Sequence, residues 1–359
     1  MTDTNIHDLA KELDGEDMIG FTRSFVGDIR SGLEEISSPR YDWIEDLAKQ
    51  EWSGVLALGM GGSAAGGDFL ASLCSLHGKI PVVVQRDYVI PSWWNKSWLI
   101  LATSHSGNTE EAIDATEIAL KSGAVAVVIS TGGILSGLAE INENCHFIPS
   151  VGGQPPRSAF GHIFSRQLGL FRRLKILPEL SNDEDMLARL QTTIEEYDFI
   201  NNENLDLIEL CNIITTQPIS LLGPTELQPA LTRFKNQLNE NAARFARVGV
   251  IPEMNHNESV AWGGVGNDRD PAVEDNVVLF LTWGGMHSRV KRRLEWMIAH
   301  TPSDLAWKIN GEGSTLLESL LHLCIVMDWI SICLALLHGK DPSSIDPIRS
   351  LKKFLANDS

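Results

Sequence analysis

Short, almost continuously apolar runs that stop at glycine or hydroxyl residues constrain the fold of this chain more than any other feature. The first series consists of 55–59 (VLALG), 81–85 (PVVVQ), 98–103 (WLILAT), 124–130 (AVAVVIS) and 145–150 (CHFIPS). Helical stretches are predicted between the first four runs. Strands that are apolar at nearly every position are typical of a parallel sheet covered by helices on both faces. The series therefore predicts a three-layer α/β/α unit with a parallel sheet.

A second series of the same plan follows in the second half of the chain. Strands are predicted at 218–223, 276–283 and 305–310, a long helix at about 226–247, and a basic amphipathic helix at 287–300. The fold class is therefore α/β, with two such units plus helices at both termini. The predicted division is 1–50 as an N-terminal helical segment, 51–155 as the first unit, 156–200 as a connecting helical segment, 201–340 as the second unit and 341–359 as a C-terminal helix.

Charge and cysteine usage exclude several classes of function. The 359-residue chain has a formal net charge of −18, whereas nucleic-acid binding needs a basic surface. The acidity also argues against adhesion to anionic membranes. The five cysteines show no CxxC and no metal-ligand spacing, and the N-terminus lacks the apolar stretch of a secretory signal. We therefore expect a cytoplasmic protein with reduced thiols and no metal site.

One apolar segment, 319–338, has the length of a bilayer span. His322 and Asp328 lie inside it, and ionisable groups at the centre of a bilayer cost several kcal/mol. The segment is therefore predicted to be a buried core helix, and no membrane contact is expected.

The loop after the first strand, 59–67 (GMGGSAAGG), is suited to an anion. Its glycines let backbone approach a ligand closely, and the helix that follows presents free N–H groups at its positive end. The same letters match a loose G-x-G-x-x-A dinucleotide pattern, with Asp87 at the end of the next strand as the acidic partner. A phosphate site and a dinucleotide site both remain open on this loop alone.

A second loop, in the stretch 101–112 (LATSHSGNTEEA), holds more hydroxyl groups than one helix cap requires. It follows a strand of the same sheet, and the carboxyl ends of parallel strands line the ligand crevice of such folds. The alternative is that these hydroxyls only cap the following helix. We predict that the two loops converge on one phosphate. The predicted phosphate-binding residues are Gly61, Gly62, Ser63, Ser104, Ser106 and Thr109.

These two loops resemble the sugar isomerase (SIS) domain pattern. Further segments at 152–160 (GGQPPRSAF), 236–245 (NQLNENAARF) and 252–262 (PEMNHNESVAW), with the tail 341–355 (DPSSIDPIRSLKKFL), extend the resemblance. Together they resemble the archaeal-type bifunctional phosphoglucose/phosphomannose isomerase family. The resemblance runs from about Gly54 to Leu355 in family order.

The resemblance implies a metal-independent aldose–ketose isomerase that needs no cofactor and acts on hexose 6-phosphates through a cis-enediol. Glucose 6-phosphate and fructose 6-phosphate are the implied substrates, and mannose 6-phosphate is a possible further one. Glu240 matches the family's catalytic base and Arg157 the arginine that stabilises the enediolate. His256 matches the ring-opening histidine, which the family takes from the neighbouring subunit of a homodimer. Lys352 matches a C-terminal active-site lysine, although Lys353 beside it fits the same pattern.

The residues alone leave other interpretations of these positions open. Glu240 lies off the apolar stripe that runs from Leu227 to Phe245, which also suits a solvated helix face. His256 fits an ordinary turn, and the lysine pair suits a helix end.

Three other classes of protein fit the sequence less well than an isomerase. A non-catalytic SIS module that senses sugar phosphates usually carries a basic DNA-binding segment, which the acidic first 50 residues do not resemble. Glucosamine-6-phosphate synthase needs an N-terminal cysteine, and the first cysteine here is Cys74. A nicotinamide-dependent dehydrogenase would use only the glycine loop. A zinc-dependent mannose isomerase is not expected, because no zinc-binding cluster is apparent.

Overall fold

The computed structural model describes residues 5–179, 183–202, 204–263, 269–301 and 304–356. Two parallel sheets with helices around them make up this part of the chain, as the strand series predicts.

The first sheet has five parallel strands in the order β2-β1-β3-β4-β5. All residues of β1 and β4 are buried, and Ser130 at the end of β4 is the one polar residue in these two strands. The strands are β1 (Gly54–Leu58), β2 (Val82–Gln85), β3 (Trp98–Thr103), β4 (Ala126–Ser130) and β5 (Cys145–Pro149).

The second sheet has four parallel strands in the order β7-β6-β8-β9. Its central strand β6 is buried throughout, whereas most residues of its edge strands β7 and β9 are partly or fully exposed. The strands are β6 (Ile219–Pro224), β7 (Ala246–Ile251), β8 (Val277–Trp283) and β9 (Ala306–Gly311).

Helices cover both sheets and fill the space between them. The helices of the first half are α1 (Ile6–Leu13), α2 (Met18–Ile36), α3 (Trp43–Leu47), α4 (Gly61–His77), α5 (Glu110–Lys121), α6 (Gly133–Ile141) and α7 (Phe160–Arg173). Those of the second half are α8 (Asp183–Tyr197), α9 (Leu205–Ile214), α10 (Gln228–Asn241), α11 (Glu258–Trp262), α12 (Ser288–His300), α13 (Leu316–Leu337) and α14 (Asp346–Ala356).

Helix α13 is the only described helix with the length and apolar composition of a membrane span, and it lies in the interior of the protein. It packs against α1, α2, α8, α9 and α10 and belongs to the largest hydrophobic cluster. The predicted core helix is thereby confirmed, and its bounds shift by a few residues from those predicted.

One predicted helix ends earlier than expected, and another is absent. The helix predicted over 226–247 ends at Asn241, and the strand β7 follows at Ala246. Ala243 has a φ of +49°, a left-handed conformation that stops the helix, and Phe245 beyond it is 92% exposed instead of buried. The helix predicted between β2 and β3 is absent, because residues 86–97 form turns. In one of these turns the Trp94 N–H donates to the Pro91 carbonyl.

Candidate active site

A small cleft lies where the amino end of α4 meets the last turns of α10. The space between its walls, counted together with the open solvent at its mouth, is about 260 Å³. Helices α4 and α10 pack against each other, and Ser72 Oγ donates to the Glu226 carbonyl at 2.7 Å near their other ends. This packing brings the carboxyl edge of the first sheet to the end of α10. The lining residues are Gly62, Ala65, Arg157, Phe160, Arg233, Asn236, Gln237 and Glu240.

Glu240 points into this cleft from the last turn of α10. Its Oε2 lies 3.6 Å from Nη1 of Arg157, and its side chain is 28% exposed. Burial raises the pKa of Glu240, while the charges of Arg157 and Arg233 oppose that rise. A half-buried carboxylate of this kind does not fit the alternative of a solvated surface glutamate. It is a group that can take up and return a proton.

Arg157 is buried and held from two sides. Its Nε donates to Oδ1 of Asn241 at 2.6 Å, and Nη2 donates to the Pro342 carbonyl at 2.5 Å. Its Nη1 has no hydrogen-bond partner among the described residues and faces Glu240. Burial lowers the pKa of Arg157, while the charge of Glu240 opposes this change. A guanidinium remains protonated at neutral pH because its ordinary pKa is very high. One of its terminal nitrogens is therefore free to donate to an oxygen in the cleft.

A buried ionic network joins side chains of α10, which lines the cleft, to α13. It does not follow from the sequence pattern. The carboxylate of Asp328 on α13 accepts from Nη1 and Nη2 of Arg233 at 2.6 and 2.9 Å and from Gln237 at 2.7 Å. Burial alone would lower the pKa of Arg233, but the Asp328 charge more than offsets this and raises it. Asn241 is anchored in turn by a 2.9 Å bond to Ser331. The available signal was Asp328 itself, because an acid inside an apolar helix needs a partner.

The glycine loop forms the opposite wall of the cleft. Gly61 has a φ of +51°, and no side chain caps α4 at Met60. A Cβ atom at Gly62 would lie 3.1 Å from the Pro156 carbonyl oxygen, so glycine lets α4 approach the Arg157 loop closely. The uncapped amino end of α4 thus opens beside Arg157, an arrangement suited to an anion.

The hydroxyl-rich loop lies against α4, but its hydroxyls have different surroundings. Ser63 is buried, and its Oγ accepts from the His105 N–H at 3.1 Å. Ser104 is fully buried, where it accepts from Gly107 N–H at 3.1 Å and shares a 2.8 Å bond with Thr109. Ser106 is exposed and accepts from the backbone N–H of residue 108 at 3.2 Å. No side chain caps α5 at Thr109, so helix capping does not explain these hydroxyls.

His256 and Lys352 lie outside the cleft. His256 is exposed beyond the carboxyl end of β7, whereas Glu240 lies near its amino end. Six residues of strand span roughly 17 Å, at about 3.3 Å each, so one chain does not bring these groups together. Lys352 is exposed on α14, although the segment that leads into this helix reaches Arg157 through Pro342.

All five cysteines are free and buried, which agrees with reduced core thiols. Among the described ranges, no group of three or more His, Cys, Asp or Glu side chains is placed to hold a metal ion.

Comparisons with known proteins agree with this fold. Residues 210–355 match the family described as the bacterial phospho-glucose isomerase C-terminal SIS domain. The structure of tagatose-6-phosphate ketose/aldose isomerase from Escherichia coli superposes with a TM-score of 0.70 at 17% identity, over 91% of this chain and 94% of that one. The fold is thus that of the two-sheet SIS proteins.

Curated relatives narrow this class to one family. The chain is 31% identical over 326 residues to a bifunctional phosphoglucose/phosphomannose isomerase of Aquifex aeolicus (strain VF5), covering 88% of this chain and 95% of that protein. A protein of the same name from Caldicellulosiruptor bescii is 31% identical over 317 residues, covering 87% and 91%. The chain belongs to the bifunctional phosphoglucose/phosphomannose isomerase family.

Proposed function

We propose that this protein interconverts fructose 6-phosphate with glucose 6-phosphate, and with mannose 6-phosphate as a second aldose, by proton transfer through a cis-enediol. The observation that carries the proposal is the pairing of Glu240 with the unsatisfied Nη1 of buried Arg157, beside the uncapped end of α4. Such an activity would serve glycolysis or gluconeogenesis in the cytoplasm.

Glu240 is the proposed base. Isomerisation moves one proton between C1 and C2, and the carboxylate takes it from one carbon and returns it to the other. The raised pKa of Glu240 makes it a stronger base than an exposed glutamate. Nη1 of Arg157 stabilises the negative charge that develops on the enediolate oxygens. The same residue pair can serve glucose and mannose phosphates, which differ only in configuration at C2.

The phosphate is held away from the reacting carbons. We assign its binding to the amino end of α4, with Gly61, Gly62 and Ser63, and to the exposed hydroxyl of Ser106. Ser104 and Thr109 already bond to each other, and we assign them to shaping the loop, with the Thr109 hydroxyl also facing the anion. Binding energy from this remote group holds C1 and C2 against the base.

The proposed assembly is a homodimer with shared active sites. Glu240 and His256 lie at opposite ends of β7, so a second copy has to supply the histidine that opens the sugar ring. The neutral-range pKa of histidine suits both the proton donation and the proton uptake of ring opening.

We propose that α14 completes the site with Lys352. The segment that leads into α14 contacts Arg157 through the Pro342 carbonyl. Two large apolar side chains of α14, Leu351 and Phe354, are 57% and 64% exposed. Such a helix can dock when substrate or the second copy is present.

The proposal is tested with Glu240→Gln, which keeps the shape and removes the base. We expect at least a thousandfold loss of kcat with fructose 6-phosphate affinity nearly unchanged, as is usual for removal of an essential acid–base group. The control is Asn239→Ala, because Asn239 is exposed on the same helical turn. Full turnover by Glu240→Gln would contradict the assignment, and sugar-phosphate binding without turnover in the unaltered chain would favour the sensing module.

A further inference from the structure

A surface cleft of about 810 Å³ lies between α12 and the segment that includes α11, separate from the candidate active site. Three arginines from α12, Arg289, Arg292 and Arg293, line it together with Trp296. No described residue that lines the cleft is acidic, although the chain as a whole carries a net charge of −18. A concentration of positive charge in so acidic a protein is unusual enough to require an explanation.

These three arginines differ from all the others in the chain. None of their side chains makes a hydrogen bond or ion pair with a described residue. Every other arginine has such a partner, either a carboxylate or a carbonyl group. Spacings of three and four residues also place like charges beside each other on α12, which destabilises a helix. An anion in the cleft would remove this repulsion.

The other walls of the cleft offer an aromatic face and an unused acceptor. Trp296 is 41% exposed, and its ring stacks on His300 at a centroid distance of 4.4 Å, which holds the indole in place. Opposite it, Nδ2 of Asn255 donates to Ser259, but Oδ1 of Asn255 is shielded from solvent and has no hydrogen-bond partner among the described residues. A ligand that fits has an anionic part, a flat ring and a hydrogen-bond donor.

We propose that this cleft binds a nucleoside phosphate. The guanidinium groups pair with phosphate oxygens, the exposed indole stacks on the base, and Oδ1 of Asn255 accepts from an amino or hydroxyl group of the ligand. Binding itself does not depend on the proposed isomerase activity.

The test is calorimetric titration of the full-length chain with ADP and, separately, with inorganic pyrophosphate. We expect one ADP site per chain, and Arg292→Glu should weaken it by at least about tenfold. The matched control is Lys291→Glu, which makes the same charge change on the same helix at a residue that does not line the cleft. Trp296→Ala should weaken ADP binding more than pyrophosphate binding.

Three results would overturn the proposal. The first is the absence of ADP binding, and the second is equal weakening by Arg292→Glu and Lys291→Glu. In the third, Ser106→Ala in the proposed phosphate loop, rather than Arg292→Glu, abolishes binding. Sedimentation of Arg292→Glu is measured in parallel. If the unaltered chain binds no ADP and this variant dissociates a dimer, the cleft is a contact between copies. The proposal of a bound nucleoside phosphate is then wrong.

Discussion

Asn241 decides where the guanidinium of Arg157 lies. Its Oδ1 accepts from Nε at 2.6 Å, and its own Nδ2 is fixed by Ser331 at 2.9 Å. The arginine therefore presents Nη1 to Glu240 with little freedom, which is the preorganisation that charge stabilisation requires. The sequence identifies Arg157 and Glu240 through resemblance, but Ser331 lies far along the chain and only the packing of α13 against α10 brings it to the site.

Asn241→Ala should therefore lower kcat about 10- to 100-fold for fructose 6-phosphate, because Arg157 loses its Nε acceptor and its fixed direction. Asn241 acts through Arg157 and is a positioning residue, so Asn241→Asp, which keeps an acceptor at this position, should recover part of the loss. Steady-state kinetics of the two variants beside the exposed-site control Asn239→Ala gives the comparison. Equal kcat values for Asn241→Ala and Asn239→Ala would show that the contact has no role in turnover.

At the scale of helices and strands, α10 and α13 are joined by charge as well as by apolar packing. Arg233 and Asp328 are both buried, and their bidentate contact crosses between the two helices. Arg233 also stacks over the ring of Phe160 at 4.8 Å, which connects the pair to α7. One network thus joins α7, α10 and α13, and two of these helices, α7 and α10, line the cleft.

Asp328→Ala should lower the free energy of unfolding by about 3–5 kcal/mol, because it leaves a buried guanidinium with no counter-charge. Urea denaturation measures this against Glu184→Ala, which breaks the exposed pair with Arg30 and should cost at most about 1 kcal/mol. Equal losses in the two variants would mean that the buried pair is no more important than a surface one.

The elements themselves were predictable where local pattern decides them. Most strands of both sheets follow from apolar runs alone. The long apolar segment predicts α13, and its His and Asp indicate a core helix instead of a membrane span. Strand β7 does not follow from the pattern, because the helical spacing of apolar residues continues to Phe245, past the left-handed residue Ala243 at which the helical conformation stops. The stretch 86–97 was given a helix that its Pro and Asn turn residues prevent.

At the scale of the whole molecule, the two sheets are arranged so that the carboxyl edge of the first meets the end of α10 from the second. The packing of α4 against α10 sets this arrangement, and α2 packs along α7 over much of its length. Neither contact follows from a local sequence pattern, because each joins segments more than a hundred residues apart. The same arrangement leaves His256 at the far end of β7, which underlies the proposal of a shared site.

The shared site predicts complementation between two inactive variants. Glu240→Gln and His256→Ala should each be nearly inactive, but dimers that contain one copy of each have one site with both residues intact. Random re-association in equal amounts makes half the dimers mixed, so activity should return to about a quarter of the original. The control is each variant dissociated and re-associated alone. No recovery in the mixture would contradict a site formed by two copies.

The central claim is proton transfer at C2 of a hexose phosphate, and one measurement tests it directly. The full-length chain, treated with EDTA, is supplied with fructose 6-phosphate in D₂O, and the glucose 6-phosphate and mannose 6-phosphate formed are examined for deuterium at C2. We expect both products in the presence of EDTA, with deuterium at C2, because a carboxylate base exchanges its proton with solvent during the enediol step. If neither aldose phosphate forms, or if the products carry no solvent deuterium while a nicotinamide cofactor is consumed, the account is contradicted.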